Sequence, residues 1–209
     1  MRLAKGRFML MSRAESDTIE AMTDADQLLQ FTIPQLLRWR VKTSGERVAL
    51  REKEFGIWRS LTWNAYYELV CRATLGLEKL GLQKGDKIVL ITDNIPEMLV
   101  VAIAAQTLGA ISAGLYQSSL PHEIADILNY LDVSIVFCDD QEQVDKLIDI
   151  RDKIPQVKKV IFEDPRGMRS YRQDPWFVFI EDLYKWGDDA NQDDPERFDR
   201  LIDQGKPDD

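Results

Sequence analysis

The sequence is poor in the residues that build metal centres and disulfide frameworks. Its two cysteines, Cys71 and Cys138, are too few for a disulfide scaffold and fit a reducing compartment. The single histidine, His122, excludes most histidine-rich zinc sites and limits triad chemistry. Bases are in the minority, 27 Lys and Arg against 36 Asp and Glu, for a net charge of −9 and a pI near 4.8. That balance argues against nucleic acid as a main partner, since phosphate binding needs clustered cations. Neither G-x-G-x-x-G nor G-x-x-x-x-G-K-[ST] occurs, so neither common phosphate-binding loop can be placed on these residues. Internal repeats and low-complexity tracts are absent as well.

Charge itself is missing from one long run. Between Met98 and Pro121 there is no Asp, Glu, Lys or Arg, long enough to be weighed as a membrane span. Gln106, Thr107, Gly109, Ser112 and Gly114 interrupt it, and the flanks lack the aromatic and basic belts of a span. A buried helix followed by a buried strand explains the run without lipid, so no transmembrane segment is expected.

What is present is ordinary for a globular α/β protein: 209 residues, 44% hydrophobic and 30% charged. The stretch Lys87 to Asp140 reads strand, helix, strand, helix, strand: "KIVLIT", "NIPEMLVVAIAAQTLGA", "ISAGLY", "LPHEIADILNYLD" and "VSIVFC". Alternation of this kind marks a parallel sheet covered on both faces. Upstream, Thr32 caps a helix that Gly45 ends, and a β-hairpin pairs Val48–Lys53 with Ile57–Leu61 around Gly56. Thr62 caps a second helix to about Leu80, with Tyr66, Tyr67, Val70, Ala73, Leu77 and Leu80 on its buried side. Asn94 is the expected cap of the helix after the first parallel strand, with Glu97 completing a capping box. Downstream follow a helix over Gln141–Ile154, strands in "KKVIFED" and "WFVFI", a short helix over Glu181–Trp186 and another over Pro195–Gln204. The fold class is therefore α/β, a doubly wound parallel sheet of repeated βα units preceded by a hairpin.

Three divisions of the chain are expected. Residues 1–31 form a flexible leader, basic at Arg2, Lys5, Arg7 and Arg13 and then acidic from Glu15 to Asp26. Residues 32–187 form the α/β domain. Residues 188–209, with nine acids against three bases, form an acidic segment.

No complete catalytic constellation emerges. His122–Glu123 has no second histidine to make H-E-x-x-H, and reads as a solvated helix turn. Cys138 sits beside Asp139 and Asp140, whose charges disfavour a thiolate, and reads as buried and inert, as does Cys71. Asp93, Asp139 and Asp140 at strand ends suggest a phospho-accepting receiver-like regulatory domain. That class also needs an acid pair after the first strand and a lysine after the fifth. Helix capping explains the same acids more simply.

The order and wording of the segments resemble the front of an adenylate-forming (AMP-binding) enzyme of the long-chain fatty acid–CoA ligase branch. The matching stretches are "TIPQLLRWRVKTSGERVALRE", "WRSLTWNAYYELVCRATLGLEKLGLQKGDKIVLITDNIPEMLV", "AAQTLGAISAGLYQSSLPHEIADILNY", "DDQEQVDKLIDIRDKIPQVKKVIFEDPRG" and "WFVFIEDL". They cover roughly residues 32–187. The resemblance implies part of the large N-terminal domain of an acyl-CoA synthetase-like fold. It implies ATP, Mg2+, coenzyme A and a fatty acid as the reactants of the full-length enzyme. It also implies a cytoplasmic protein and leaves peripheral membrane association open. Family members carry a Thr/Ser/Gly-rich phosphate loop shortly after a segment similar to "QGKPDD", where this sequence stops. No catalytic, cofactor-binding or metal residue of the family is carried onto a position here. The expectation is an N-terminal fragment, inactive by itself; the alternative is a stand-alone α/β binding or interaction module.

Overall fold

The computed structural model describes residues 28–54, 56–171 and 173–207. The leader predicted over residues 1–31 lies, through residue 27, outside the described residues.

Helix α1 (Ile33–Ser44) begins where the sequence predicts. Thr32 accepts from the Gln35 backbone N–H through its hydroxyl, and the Gln35 side chain accepts from the Thr32 N–H at 2.9 Å. This reciprocal pair satisfies two of the four N–H groups that a helix start leaves unpaired. Strands β1 (Val48–Glu54) and β2 (Ile57–Thr62) form an antiparallel hairpin with Lys53 opposite Trp58. Helix α2 (Trp63–Lys79) is capped by Thr62, whose hydroxyl accepts from Ala65 N at 3.2 Å.

The central sheet has five parallel strands: β3 (Lys87–Ile91), β4 (Ile111–Leu115), β5 (Ile135–Cys138), β6 (Lys159–Phe162) and β7 (Phe177–Phe179). Their spatial order is β4-β3-β5-β6-β7. Helix α3 (Pro96–Thr107) returns β3 to β4 on one face, while α4 (Pro121–Leu131) and α5 (Gln141–Asp149) lie on the other. Reversing direction while switching faces keeps each crossover right-handed. Two-residue alternation then divides the strands between two cores. Ile88, Leu90, Phe137 and Ile161 face α1, α2, α3, α6 (Ile180–Asp193) and α7 (Arg197–Gln204). Val89, Ile91, Val136, Cys138 and Val160 face Ile124, Leu128, Val144 and Leu147 of α4 and α5.

The uncharged run is thus α3 and β4. Twelve residues of helix reach about 18 Å, short of the ~30 Å hydrocarbon core of a bilayer. Among the described residues no helix is long and apolar enough to cross a membrane.

The helix expected over Pro195–Gln204 starts at Arg197, and three further boundaries differ from expectation. Asn94 does not cap α3: Ile95 occupies the cap position with extended backbone and no side-chain hydrogen bond. Pro96 is the cause, since proline favours the first helical position and forces its predecessor out of the helical region. The helix over Gln141–Ile154 ends as an α-helix at Asp149, continuing as a 3-10 turn over Arg151–Lys153 ahead of Pro155. The helix predicted over Glu181–Trp186 runs through Gly187 to Asp193.

Gly187 is there for contact, not for termination. A Cβ at Gly187 would stand 2.0 Å from the Arg72 carbonyl oxygen, and one at Gly76 would stand 2.4 Å from that of Leu183. Helices α2 and α6 therefore meet backbone to backbone, and Arg72 Nε reaches Asp188 Oδ1 across the contact at 2.9 Å. Helix α7 completes that face: Phe198 and Ile202 enter the core, and Gln35 Nε2 donates to the carbonyls of Ile202 and Gly205, each at 3.1 Å. Substituting Gly76→Ala or Gly187→Ala gains up to ~1 kcal/mol of helix propensity, yet backbone cannot yield as a flexible side chain can. Each substitution is expected to destabilise the fold by about 1–3 kcal/mol net, read as a lower urea midpoint. An unchanged or raised midpoint would show that the helices separate freely.

Candidate functional site

In an open parallel sheet the crevice lies outside the carboxyl ends of the strands, where the strand order reverses. Here that point is β3, with β4 on one side and β5 on the other. The segments that meet there are Thr92–Ile95 after β3, Tyr116–Leu120 after β4, Asp139 and Asp140 after β5, and Glu163 and Asp164 after β6.

Asp139 joins them. Its Oδ2 accepts from the Asp93 backbone N–H at 2.9 Å and from the Gln117 side-chain amide. Its carbonyl accepts from Asp164 N at 2.6 Å. One residue thereby fastens the loops that follow β3, β4 and β6. Lys146 on α5 extends the network: its ammonium donates to the Gln117 carbonyl and to Gln143 Oε1 at 3.2 Å, and pairs with Glu142 at 2.9 Å. Asp140 caps α5 by accepting from Gln143 N at 3.2 Å.

The network sits where water is scarce. Asp139 is only 8% exposed and its Oδ1 has no hydrogen-bond partner. Burial pushes its carboxyl above the ordinary carboxylate range, Asp140 adds to the rise, and the Asp93 N–H and Gln117 amide oppose it.

Of the residues singled out from sequence, Asp93, Asp139 and Asp140 converge, two of them as Asp93 N–H to Asp139 carboxylate. His122 is exposed at the start of α4. Cys138 is fully buried on one face of the sheet, its thiol driven up by desolvation and then by Asp139 and Asp140. Cys71 packs against the core of the other face, its thiol pushed up to about 12, chiefly by burial. Both cysteines are free and poorly ionised, as an inert role requires. Gln117 and Lys146 carry no mark in the sequence pattern. The signal available for Gln117 is a polar residue just beyond a strand, without the charge that singles out the strand-end acids.

Receiver chemistry is not assembled. The fifth strand passes from Phe179 directly into Ile180 and Glu181, so no lysine stands at its end. Asp139 is consumed as a buried acceptor. Among the described residues no group of three or more His, Cys, Asp or Glu is placed to hold a metal ion.

Substitutions at Asp139 test the network. Asp139→Ala strands the Asp93 N–H and the Gln117 amide, with an expected loss of about 1–3 kcal/mol in urea denaturation. Asp139→Asn keeps an acceptor and removes the buried charge, so its loss at neutral pH is expected to be smaller. The raised carboxyl favours the native state fully below the unfolded value, and this advantage fades as pH rises through the folded one. Wild type should therefore gain on Asp139→Asn as pH falls from neutral to about 4. A gap independent of pH would show that Asp139 titrates alike in both states.

With this geometry in place, comparison with known proteins is direct. The family model described as "AMP-binding enzyme" matches residues 37–197. The long-chain-fatty-acid–CoA ligase ACSBG1 of Bos taurus is 28% identical over 177 residues, 84% of this chain and 23% of that protein. ACSBG2 of Xenopus laevis, also a long-chain-fatty-acid–CoA ligase, is 25% identical over 187 residues, 88% of this chain and 24% of its own length. The chain thus spans about a quarter of the curated relatives it matches. Among solved structures, the anthranilate CoA ligase AuaEII bound to anthranoyl-AMP superposes with a TM-score of 0.66 at 20% identity, covering 78% of this chain and 30% of that one. A Rhodopseudomonas palustris protein assigned as a long-chain-fatty-acid CoA ligase gives 0.62 at 23% identity, covering 75% and 37%. These two likenesses speak for the fold. The family match extends from α1, across all five parallel strands, to the first residue of α7, and by it the chain belongs to the AMP-binding enzyme family.

Proposed function

We propose that this chain is the scaffold portion of an ATP-dependent, AMP-forming long-chain fatty acid–CoA ligase. The family match over residues 37–197 carries the reading. The fatty acid assignment is supported by relatives that are long-chain-fatty-acid–CoA ligases. In that reaction the fatty carboxylate attacks the α-phosphorus of ATP, forming acyl-adenylate and releasing pyrophosphate. The thiol of coenzyme A then displaces AMP to give the thioester.

The residues present do not fit an ATP–Mg2+ site of their own. The turn from β3 into α3 is Thr92-Asp93-Asn94-Ile95, without the glycines that let a backbone approach phosphate. What this chain contributes is a sheet covered on both faces and a set of strand-end loops tied through Asp139. Such a base fixes the position of whatever packs on its carboxyl edge, and positioning is a large part of adenylation chemistry. On this reading the α/β unit begins at residue 32, the boundary expected at 187 falls inside α6, and residues 188–209, packed on the same core through Phe198 and Ile202, carry the chain toward the nucleotide-binding loop. A cytoplasmic site of action accords with the two free thiols.

The purified 209-residue chain is expected to show no ATP–pyrophosphate exchange with palmitate. A longer product of the same reading frame, carrying a Thr/Ser/Gly-rich loop beyond Asp209, is expected to catalyse it. Exchange by the shorter chain alone would overturn the scaffold assignment. Failure of the longer product with every fatty acid offered would overturn the ligase assignment.

A further inference from the structure

We propose that one face of the β1–β2 hairpin is a docking surface for an anionic lipid bilayer. The inference stands on the hairpin and is independent of the ligase reading.

Antiparallel register puts Arg51 opposite Ser60 and Lys53 opposite Trp58. Side chains alternate along a strand, so these four share one face, and all four are exposed. Trp58 is 64% exposed, while its neighbour Ile57, 70% exposed, alternates onto the other face. The Lys53 ammonium lies 5.9 Å from the centre of the Trp58 ring. The face holds two cations and an indole and no acid, in a chain whose net charge is −9. Glu52 alternates onto the opposite face, where Arg59 stands across from it.

The exposure has a geometric origin. All of Ile57–Ser60 is exposed, and burial begins only at Leu61, so the outer half of the hairpin stands clear of the core. The four exposed residues of β2 extend about 13 Å at ~3.3 Å each. That is more than one Debye length at physiological salt, so the field of the acidic bulk of the chain is reduced at the tip.

The chemistry selects the occupant. Tryptophan prefers the membrane interface, where its ring contacts acyl chains and its N–H meets head-group oxygens. Lys and Arg flanking it keep their stems on the apolar side and their charges among lipid phosphates. A nucleic acid needs more neutralised phosphates than two cations supply. A protein partner needs about 800 Å² of buried surface per side, and this face offers one large apolar residue, Trp58.

The test is co-sedimentation of the full 209-residue chain with vesicles of phosphatidylcholine, with or without phosphatidylglycerol, and sedimentation without vesicles subtracted. Wild type is expected to bind the phosphatidylglycerol vesicles and to leave them as salt rises. The double variant Arg51→Ser/Lys53→Ser should lower the partition coefficient roughly tenfold or more. Trp58→Ser should lower it several-fold, and the emission lost with Trp58 should be blue-shifted by those vesicles in wild type. All three side chains are exposed, so far-UV circular dichroism should be unchanged by their replacement. Full binding by the variants, no binding by wild type, or equal binding to neutral vesicles overturns the proposal. So does stronger retention on single-stranded DNA than on phosphatidylglycerol vesicles at equal salt.

Discussion

The fold depends on two helices coming closer than side chains permit. One face of the sheet must be covered by α1, α2, α3, α6 and α7 together, and α6 reaches its place only by lying against the backbone of α2. Gly76 and Gly187 make that possible, each standing where a Cβ would strike a carbonyl oxygen of the other helix. Glycine inside a helix ordinarily costs ~1 kcal/mol relative to alanine. Here the cost is offset by burying Val70, Ala73 and Leu77 beneath Leu183 and Tyr184, all nearly free of solvent. The Arg72–Asp188 ion pair and the Arg72 guanidinium over the Tyr184 ring, 4.7 Å away, then fix how the helices lie along each other. The acidic end of the chain is ordered as a consequence, since α7 follows α6 and brings Phe198 and Ile202 into the same core.

The opposite constraint governs the carboxyl edge of the sheet, where apolar burial would leave loop backbone unpaired. A buried N–H without an acceptor is costly, and Asp139 supplies that acceptor for Asp93 while holding Gln117 and, through its carbonyl, Asp164. The loops pay in carboxyl desolvation for being held together. Lys146 is shared among Gln117, Gln143 and Glu142, so its charge serves the loops without quenching Asp139 directly. An edge braced in this way is a base for other structure, consistent with curated relatives of which this chain spans about a quarter.

How far the sequence reveals this depends on whether a feature is periodic or singular. The strands and helices of the sheet are periodic, and apolar alternation shows them: Lys87–Ile91, Ile135–Cys138 and Pro121–Leu131 all fall within the segments read from pattern. Asn94 fails because two local rules compete. Its side chain can cap, but Pro96 sets the helix start one residue later and leaves Ile95 in the cap position. Gly187 fails for a deeper reason. Local rules read a glycine after a helical run as a stop, whereas its reason for being here is Arg72, 115 positions earlier in the sequence. Asp93 and Asp139 were legible as strand-end acids. Their hydrogen bond was not, since it depends on β3 and β5 being spatial neighbours across a crossover to β4.

The charge-free run from Met98 to Pro121 shows the same division at work. Its first half, α3, packs Val100, Val101, Ala104 and Ala105 fully into one core. Its second half, β4, ends the sheet and pairs only with β3. Ile111 is 55% exposed and Tyr116, just beyond the strand, 85%. An edge strand with no lysine, proline or acid to blunt it is unusual for a surface that meets only water. The lack of charge that a lone helix would owe to deep burial therefore has two causes here, an interior helix and an uncapped edge. Burial explains the first half completely. The second half keeps the unpaired edge of a strand, on the same side of the sheet where Gln117 is held by Asp139.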